Sequence, residues 1–439
     1  MTKIKVRVNS INILFFVDIK SRDLPSLSLI GYYLKKKGYN VIFAPLHEWE
    51  ISRFADIIVM NKPSAFQELV NFWRNQGKRI IVIDTEGRTH DGKNLKIVRK
   101  LNFLPDVYFY WNKREFNKYY KERKKFDCNG KVLGCARTDF CHPSFVKIYE
   151  KNKIIKSLGL KKNDFIITLA TRTHDVLRGK TVFFNHYKKR KNNHKYFISG
   201  KYEFKNSEQL LKITKQFLIQ VNKKFPKCKV VLKPHPNESN SYWVDFLNKE
   251  KLTNVKIMIG KTINELLLIS KIHISHNTCQ STIEGKLFNI PVIELQNKYT
   301  NLISGKTHNN IADYNISNLN DLFVILNRIY INKNFKKSQI FEKYFNKYFY
   351  KFDGKRSKNY SLEIHRFIQK NYLINRKPSL KNIISNFCKN ITIELFKIKY
   401  SFNLFKIINQ GYDKRGRYKH RINNYDHLFW YKKYKRFNF

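Results

Sequence analysis

Short apolar runs alternate with amphipathic stretches along most of this chain, and that alternation limits the fold more than any other feature. "NILFFVDI" (12–19), "NVIFAPL", "ADIIVMN" and "KRIIVIDTEG" are rich in β-branched and aromatic residues and too short for buried helices. Between them, "DLPSLSLIGYYLKKKGY" (23–39) and the stretch containing "FQELVNFWRNQG" read as helices. In the first helix Asp23 is placed as a cap, with Pro25 in the first turn and Gly38 near the end. Continuous apolar strands separated by helices predict a parallel sheet covered on both faces. With "DVYFYWN" and "KVLGCART" closing the series, residues 1–150 are expected to form one Rossmann-like domain.

A second series runs through "NDFIITLATRT" (163–173), a helix around 206–224, "KVVLKP", "NVKIMIG", "INELLLIS", "KIHISHN", "CQSTIEGKLF" and "IPVIELQ". It predicts a second Rossmann-like domain over 160–330, so the fold class is α/β with an interdomain cleft at the strands' carboxyl ends. Residues 331–375 read as a helical crossover and 376–439 as a basic, aromatic tail.

The formal charge is +53, from 86 lysines and arginines against 33 acids. Nucleic acid, an anionic membrane surface and acidic substrates are the partners such a charge fits. A genome-level bias toward Lys, Asn, Ile, Tyr and Phe accounts for the excess equally well. The longest early apolar run, "INILFFVD", is too short to span a bilayer and no small-residue cleavage site follows it, so neither a membrane span nor a secretory signal is expected. The six cysteines form no CxxC pair, and free thiols in a reducing compartment are expected.

Two motifs of the second series lie at strand ends. In "VVLKPHPNE" (230–238), Lys233 and His235 are each followed by a proline, which stops pairing and stiffens the turn. Such a turn is either a plain strand stop or a place where an imidazole and an ammonium meet a phosphate. In "ISHNTCQSTIEG" (274–285) a strand runs into a helix start bearing Thr278, Ser281 and Thr282, the makings of an anion site. These hydroxyls are expected to face whatever His235 faces. Glu284 either binds ribose hydroxyls or is an exposed helix acid. Arg172, in "LATRTHD", is placed to neutralise a phosphate or carboxylate.

In the first series, Asp84 and Glu86 of "IVIDTEG" point the same way along an extended strand, and one of them suits a general base. The alternative is a strand-end acid capping the next element. Lys20 and Arg22 sit in the expected first strand-to-helix loop as acceptor-side cations. Arg137 and Asp139 are equally well read as a structural ion pair.

"RDLPSLSLIGYYLKKKGYNV", "VIDTEG", "LGCARTDF", "KPHP" and "HNTCQSTIEGKLFNIPVIEL" together resemble the bacterial surface carbohydrate biosynthesis proteins, glycosyltransferases of GT-B type. The resemblance covers about residues 11–300. More distantly the chain is similar to bacterial sialyltransferases and Kdo transferases, which use CMP-activated sugars, and to CDP-glycerol glycerophosphotransferases. The resemblance implies that Glu86 or Asp84 is the base, that His235 touches the donor phosphate, and that Ser281 and Thr282 bind it. Thr85 separates the two acids, which favours Glu86, and "CARTD" departs from the family pattern around Arg137.

The expectation is a cytoplasmic GT-B glycosyltransferase of surface polysaccharide or lipopolysaccharide synthesis, needing no metal and no cofactor. It would use a nucleotide-activated donor, with a CMP-linked acidic sugar favoured, and a lipid-linked or oligosaccharide acceptor. An anionic membrane surface at the inner face is the expected partner of the tail, and nucleic acid is disfavoured. The rivals are a CDP-glycerol-type phosphopolyol transferase and a non-enzymatic RNA-binding protein.

Overall fold

The computed structural model describes residues 11–61, 67–84, 105–114, 116–117, 129–188, 194–259, 261–276, 279–300, 311–331, 340–372, 426–437 and 439. The chain divides into two compact units. Of the described residues, the second takes those from Tyr149 to Tyr344, and the first takes those up to Ile148 and those from Phe345 onward.

The first unit is built on six parallel strands, β1 (Asn12–Val17), β2 (Asn40–Pro45), β3 (Ile57–Met60), β4 (Arg79–Ile83), β5 (Val107–Tyr110) and β6 (Asn129–Val132). Their order is β2-β1-β3-β4-β5-β6. β1 pairs on both edges and is buried from its second residue on, which is why it reads as one apolar run. Helices α1 (Lys20–Lys36) and α2 (Gln67–Asn75) belong to this unit. Trp73 of α2 stacks on Phe16 at 5.3 Å, and its indole N–H donates to the Ser52 hydroxyl at 2.8 Å. The largest buried ring there thus keeps its polar edge satisfied.

The start of α1 corrects the sequence reading. Asp23 is not the cap: the helix begins three residues earlier, and the Asp23 carboxylate reaches back to the Ile19 N–H at 3.1 Å. Lys20 and Arg22 therefore lie in the first helical turn and not in a loop.

The second unit repeats the plan with β7 (Phe165–Ala170), β8 (Cys228–Lys233), β9 (Val255–Ile257), β10 (Ile272–His276), β11 (Val292–Leu295) and β12 (Tyr314–Ile316). All pair in parallel, in the order β12-β11-β10-β7-β8-β9. The chain starts at β7, builds outward to β9, then returns to the other side of β7 at β10. The order reverses between β7 and β10, where open parallel sheets bind ligands. Its helices are α3 (Lys151–Ser157), α4 (Lys180–Lys188), α5 (His194–Lys224), α6 (Asn240–Lys249), α7 (Ile263–Leu267), α8 (Gln280–Leu287) and α9 (Leu319–Ile331). Leu210, Phe217, Leu218 and Val221 of α5 recur at helical spacing in one buried cluster with Val230, Leu232 and Trp243.

Helix α10 (Ile340–Phe349) carries the chain back to the first unit, followed by α11 (Arg356–Tyr372) and, at the end, α12 (Asp426–Arg436). Asp139 caps α11: its buried carboxylate accepts the backbone N–H groups of Arg356 at 2.9 Å and Ser357 at 2.6 Å. Burial pushes its pKa up to about 6 against the pull of those bonds. The α12 face toward α1 carries Trp430 and Tyr434, and the Tyr434 hydroxyl donates to the Pro25 carbonyl at 2.6 Å. Among the described residues no helix is long and apolar enough to cross a membrane.

Candidate functional site

At the reversal point of the second sheet, the loop after β7 is gripped from both neighbouring strands. Glu238, just beyond β8, is almost wholly buried. Its carboxylate accepts the Thr171 hydroxyl at 2.5 Å, the Trp243 indole N–H at 2.9 Å and the Thr173 backbone N–H. Burial raises its pKa, while the Thr171 and Thr173 bonds oppose the rise. From the other side, Nδ1 of His276 at the end of β10 accepts the Arg172 N–H at 3.0 Å. With Nδ1 accepting, the proton of the neutral ring sits on Nε2 and points to the Thr214 hydroxyl at 2.8 Å, which donates in turn to the Leu210 carbonyl at 2.7 Å. Burial, helped by the nearby Arg172 charge, holds the His276 pKa down to about 3.

His235 is half-buried at the end of β8. Its ring stacks on His174 with centroids 4.7 Å apart, and its Nδ1 accepts the Asn237 N–H at 3.2 Å. That bond makes Nε2 the N–H donor of the neutral ring. Lys233, the last residue of β8, is half-buried; desolvation lowers its pKa to about 8, partly offset by the Glu265 carboxylate. Arg172 is exposed on the gripped loop.

Helix α8 starts just beyond β10, and its N-cap Cys279 supplies no side-chain bond. Ser281 is 5% exposed, and its hydroxyl has no partner among the described residues. Thr282 takes a different direction from the one expected. Its hydroxyl is buried against that of Ser275 at 2.7 Å and ties α8 to β10. Glu284 is 6% exposed, which excludes the exposed-acid alternative. Gly285 lets α8 lie close to the sheet, since a Cβ there would stand 2.8 Å from Val292 Cγ2 and 3.1 Å from His273 Cδ2. Thr278 lies outside the described residues.

In the first unit, Asp84 is buried at the end of β4. The Tyr108 hydroxyl approaches its carboxylate at 3.4 Å, and the Trp111 indole donates to its carbonyl at 2.6 Å. Glu86 lies outside the described residues. Lys20 pairs with Asp426 at 2.6 Å, and Arg22 with Asp23 at 2.7 Å and Asp18 at 3.1 Å. Both cations are engaged by carboxylates of their own unit. Sequence reasoning missed Glu238, His276, Thr214 and His174. The one local signal was an acid and a histidine standing directly at strand ends.

No family model matches this sequence, and a comparison with curated proteins finds no relative. Solved structures do match. A variant of the wall teichoic acid polymerase TagF soaked with CDPG gives a TM-score of 0.55 at 12% identity, over 83% of this chain and 90% of that one. A second TagF variant gives 0.54 at 13%, over 82% and 90%. UDP-GlcNAc 2-epimerase from Neisseria meningitidis bound to UDP-GlcNAc gives 0.48 at 11%, over 82% and 100%. The TagF likeness, with two six-stranded parallel sheets and C-terminal helices, makes this a GT-B type α/β fold.

Proposed function

We propose that the second unit binds a nucleotide-activated donor by its phosphate, and that the chain is a glycosyltransferase of surface polysaccharide or lipopolysaccharide synthesis. A CMP-linked acidic sugar is the favoured donor. The observation that carries this reading is the grouping at one end of β8, β7 and β10. His235 lies on one side of the reversal point, and the amino end of α8, with the buried Ser281 hydroxyl, lies on the other. His235 donates from Nε2 to a phosphate oxygen, Lys233 and Arg172 add charge, and the α8 dipole favours an anion. An acceptor hydroxyl forms a bond from its oxygen to the anomeric carbon. The bond from that carbon to the phosphate oxygen breaks, its electron pair leaves on the phosphate, and the proton passes to the Glu86 carboxylate. Fixed donors at the phosphate stabilise the growing charge.

The acceptor is lipid-linked or an oligosaccharide, and the protein works at the cytoplasmic face of the membrane. Supporting this, α12 turns Leu428 and Phe429, the latter 55% exposed, outward beside Lys432, Lys435 and Arg436.

The second reading is the CDP-glycerol-type phosphopolyol transferase, supported by the likeness to the TagF structure soaked with CDPG. A thermal-shift screen of wild type and His235→Ala against CMP, CDP, UDP and GDP tests the donor site. A shift with a cytidine nucleotide that is lost in His235→Ala supports it; no shift, or an equal shift in both proteins, sinks it. Turnover of CDP-glycerol but of no CMP-sugar would replace the sugar reading with the polyol one.

A further inference from the structure

The carboxyl end of β5 opens into a cavity of about 860 Å³ that lies wholly within the first unit. Lys113 and Arg114, just past β5, form one wall, while Lys347, Tyr350 and Lys351, at the end of α10, form the other. Among the described residues its lining includes these four cations and no acid. In a chain so rich in lysine that alone decides nothing, but the walls are built rather than merely charged.

Asn112 is buried and its amide donates to the Tyr348 carbonyl at 2.9 Å, tying the two walls together. Arg114 donates to the Tyr348 hydroxyl at 3.1 Å, with its guanidinium 5.6 Å from that ring. Tyr350 has a φ of 77°, a left-handed conformation that a tyrosine keeps only when its surroundings impose it. Here the Arg356 guanidinium sits 5.4 Å from the Tyr350 ring. It is held there by Asp353 at 2.5 Å and the Leu133 carbonyl at 3.1 Å. The left-handed turn at Tyr350 ends α10 and, with the Arg356 contact, fixes the ring at the cavity wall.

We infer that this cavity binds a short acidic glycan through clustered phosphate or carboxylate groups. The ammonium groups adapt to several anions, and Arg114 offers a planar fork. Tyr350 gives a flat apolar wall against which a sugar ring can pack. A volume of this size suits a ligand of a few sugar residues. Among the described residues a single aromatic ring lines the cavity, whereas single-stranded nucleic acid is held by successive stacking platforms. The inference deepens the transferase reading, in which this glycan is the acceptor; its binding does not depend on a donor.

The test is calorimetry on the full chain at physiological salt. The probes are tetragalacturonate, a glycerol-phosphate tetramer, maltotetraose and a short single-stranded RNA. Either acidic tetramer should bind at least about tenfold more tightly than maltotetraose. Lys113→Gln/Lys347→Gln should weaken it about tenfold, while Lys249→Gln/Lys256→Gln in the second unit leaves it unchanged. Equal losses in the two double variants, no preference over maltotetraose, or tighter binding of the RNA through the same lysines would overturn the inference. The CDP thermal shift reports the donor reading separately. A shift without acidic-glycan binding sinks this inference alone, and glycan binding without any nucleotide shift sinks only the donor reading.

Discussion

His276 and Arg172, 104 residues apart, are joined by a 3.0 Å bond from the Arg172 backbone N–H to Nδ1 of the imidazole. That bond requires a neutral ring. His276 and the equally buried His273, whose pKa burial lowers to about 4, must both stay uncharged in the folded state. Their folded pKa values lie below the unfolded value of 6.5, so the stability they contribute is present above 6.5 and is lost as pH falls below it. Each ring should cost about 1.4 kcal/mol per pH unit in that window. Urea unfolding from neutral pH down to about pH 4 should show the loss, and His276→Gln should flatten the slope by roughly one proton. An unchanged slope in that variant would mean the ring is not held neutral.

Lys233 supplies a second pH signature, in binding rather than folding. With its pKa near 8, its charge is present below that value and fades above it. CDP affinity should therefore fall as pH rises from about 8, by up to tenfold per unit. Lys233→Met should bind more weakly at neutral pH and lose this pH dependence. Titrations of both proteins at several pH values check it.

Gly285→Ala should destabilise the second unit by about 1–3 kcal/mol, since the new methyl meets core groups of β10 and β11. Introducing Val292→Ala first should reduce that cost, because Val292 Cγ2 is the nearest atom. A double-mutant cycle in urea measures the difference.

Two tyrosines three residues apart on α12 should respond oppositely. Tyr434→Phe removes the buried bond to the Pro25 carbonyl and should cost about 1–2 kcal/mol. The Tyr431 hydroxyl is buried with no partner among the described residues, and burial raises its pKa. Tyr431→Phe should therefore be neutral or stabilising by thermal denaturation.

The buried parallel strand β1 was legible in the sequence because pairing on both edges under covering helices leaves an almost wholly apolar run. His235 and Lys233 were legible as strand-end groups because the prolines mark where β8 stops. What the spacing could not supply was direction. Ser281 and Thr282 are adjacent, yet only the Thr282 hydroxyl is committed to Ser275, since neighbouring helical residues point about 100° apart. Lys20 and Arg22 looked available until Asp426, a residue from the far end of the chain, was placed beside Lys20. Glu238 and His276 act on a loop 67 and 104 residues away, and no local pattern encodes that.

Pro25 and Tyr434 are 409 residues apart in sequence and joined by one hydrogen bond. During synthesis, β1 to β6 leave the ribosome long before α11 and α12 exist to cover α1. The described residues of the second unit form one continuous stretch of chain, which can close on itself while the first still waits. The unit that is made first is therefore the one finished last, and its uncovered α1 surface is the stage at which nascent chains are most open to misassembly.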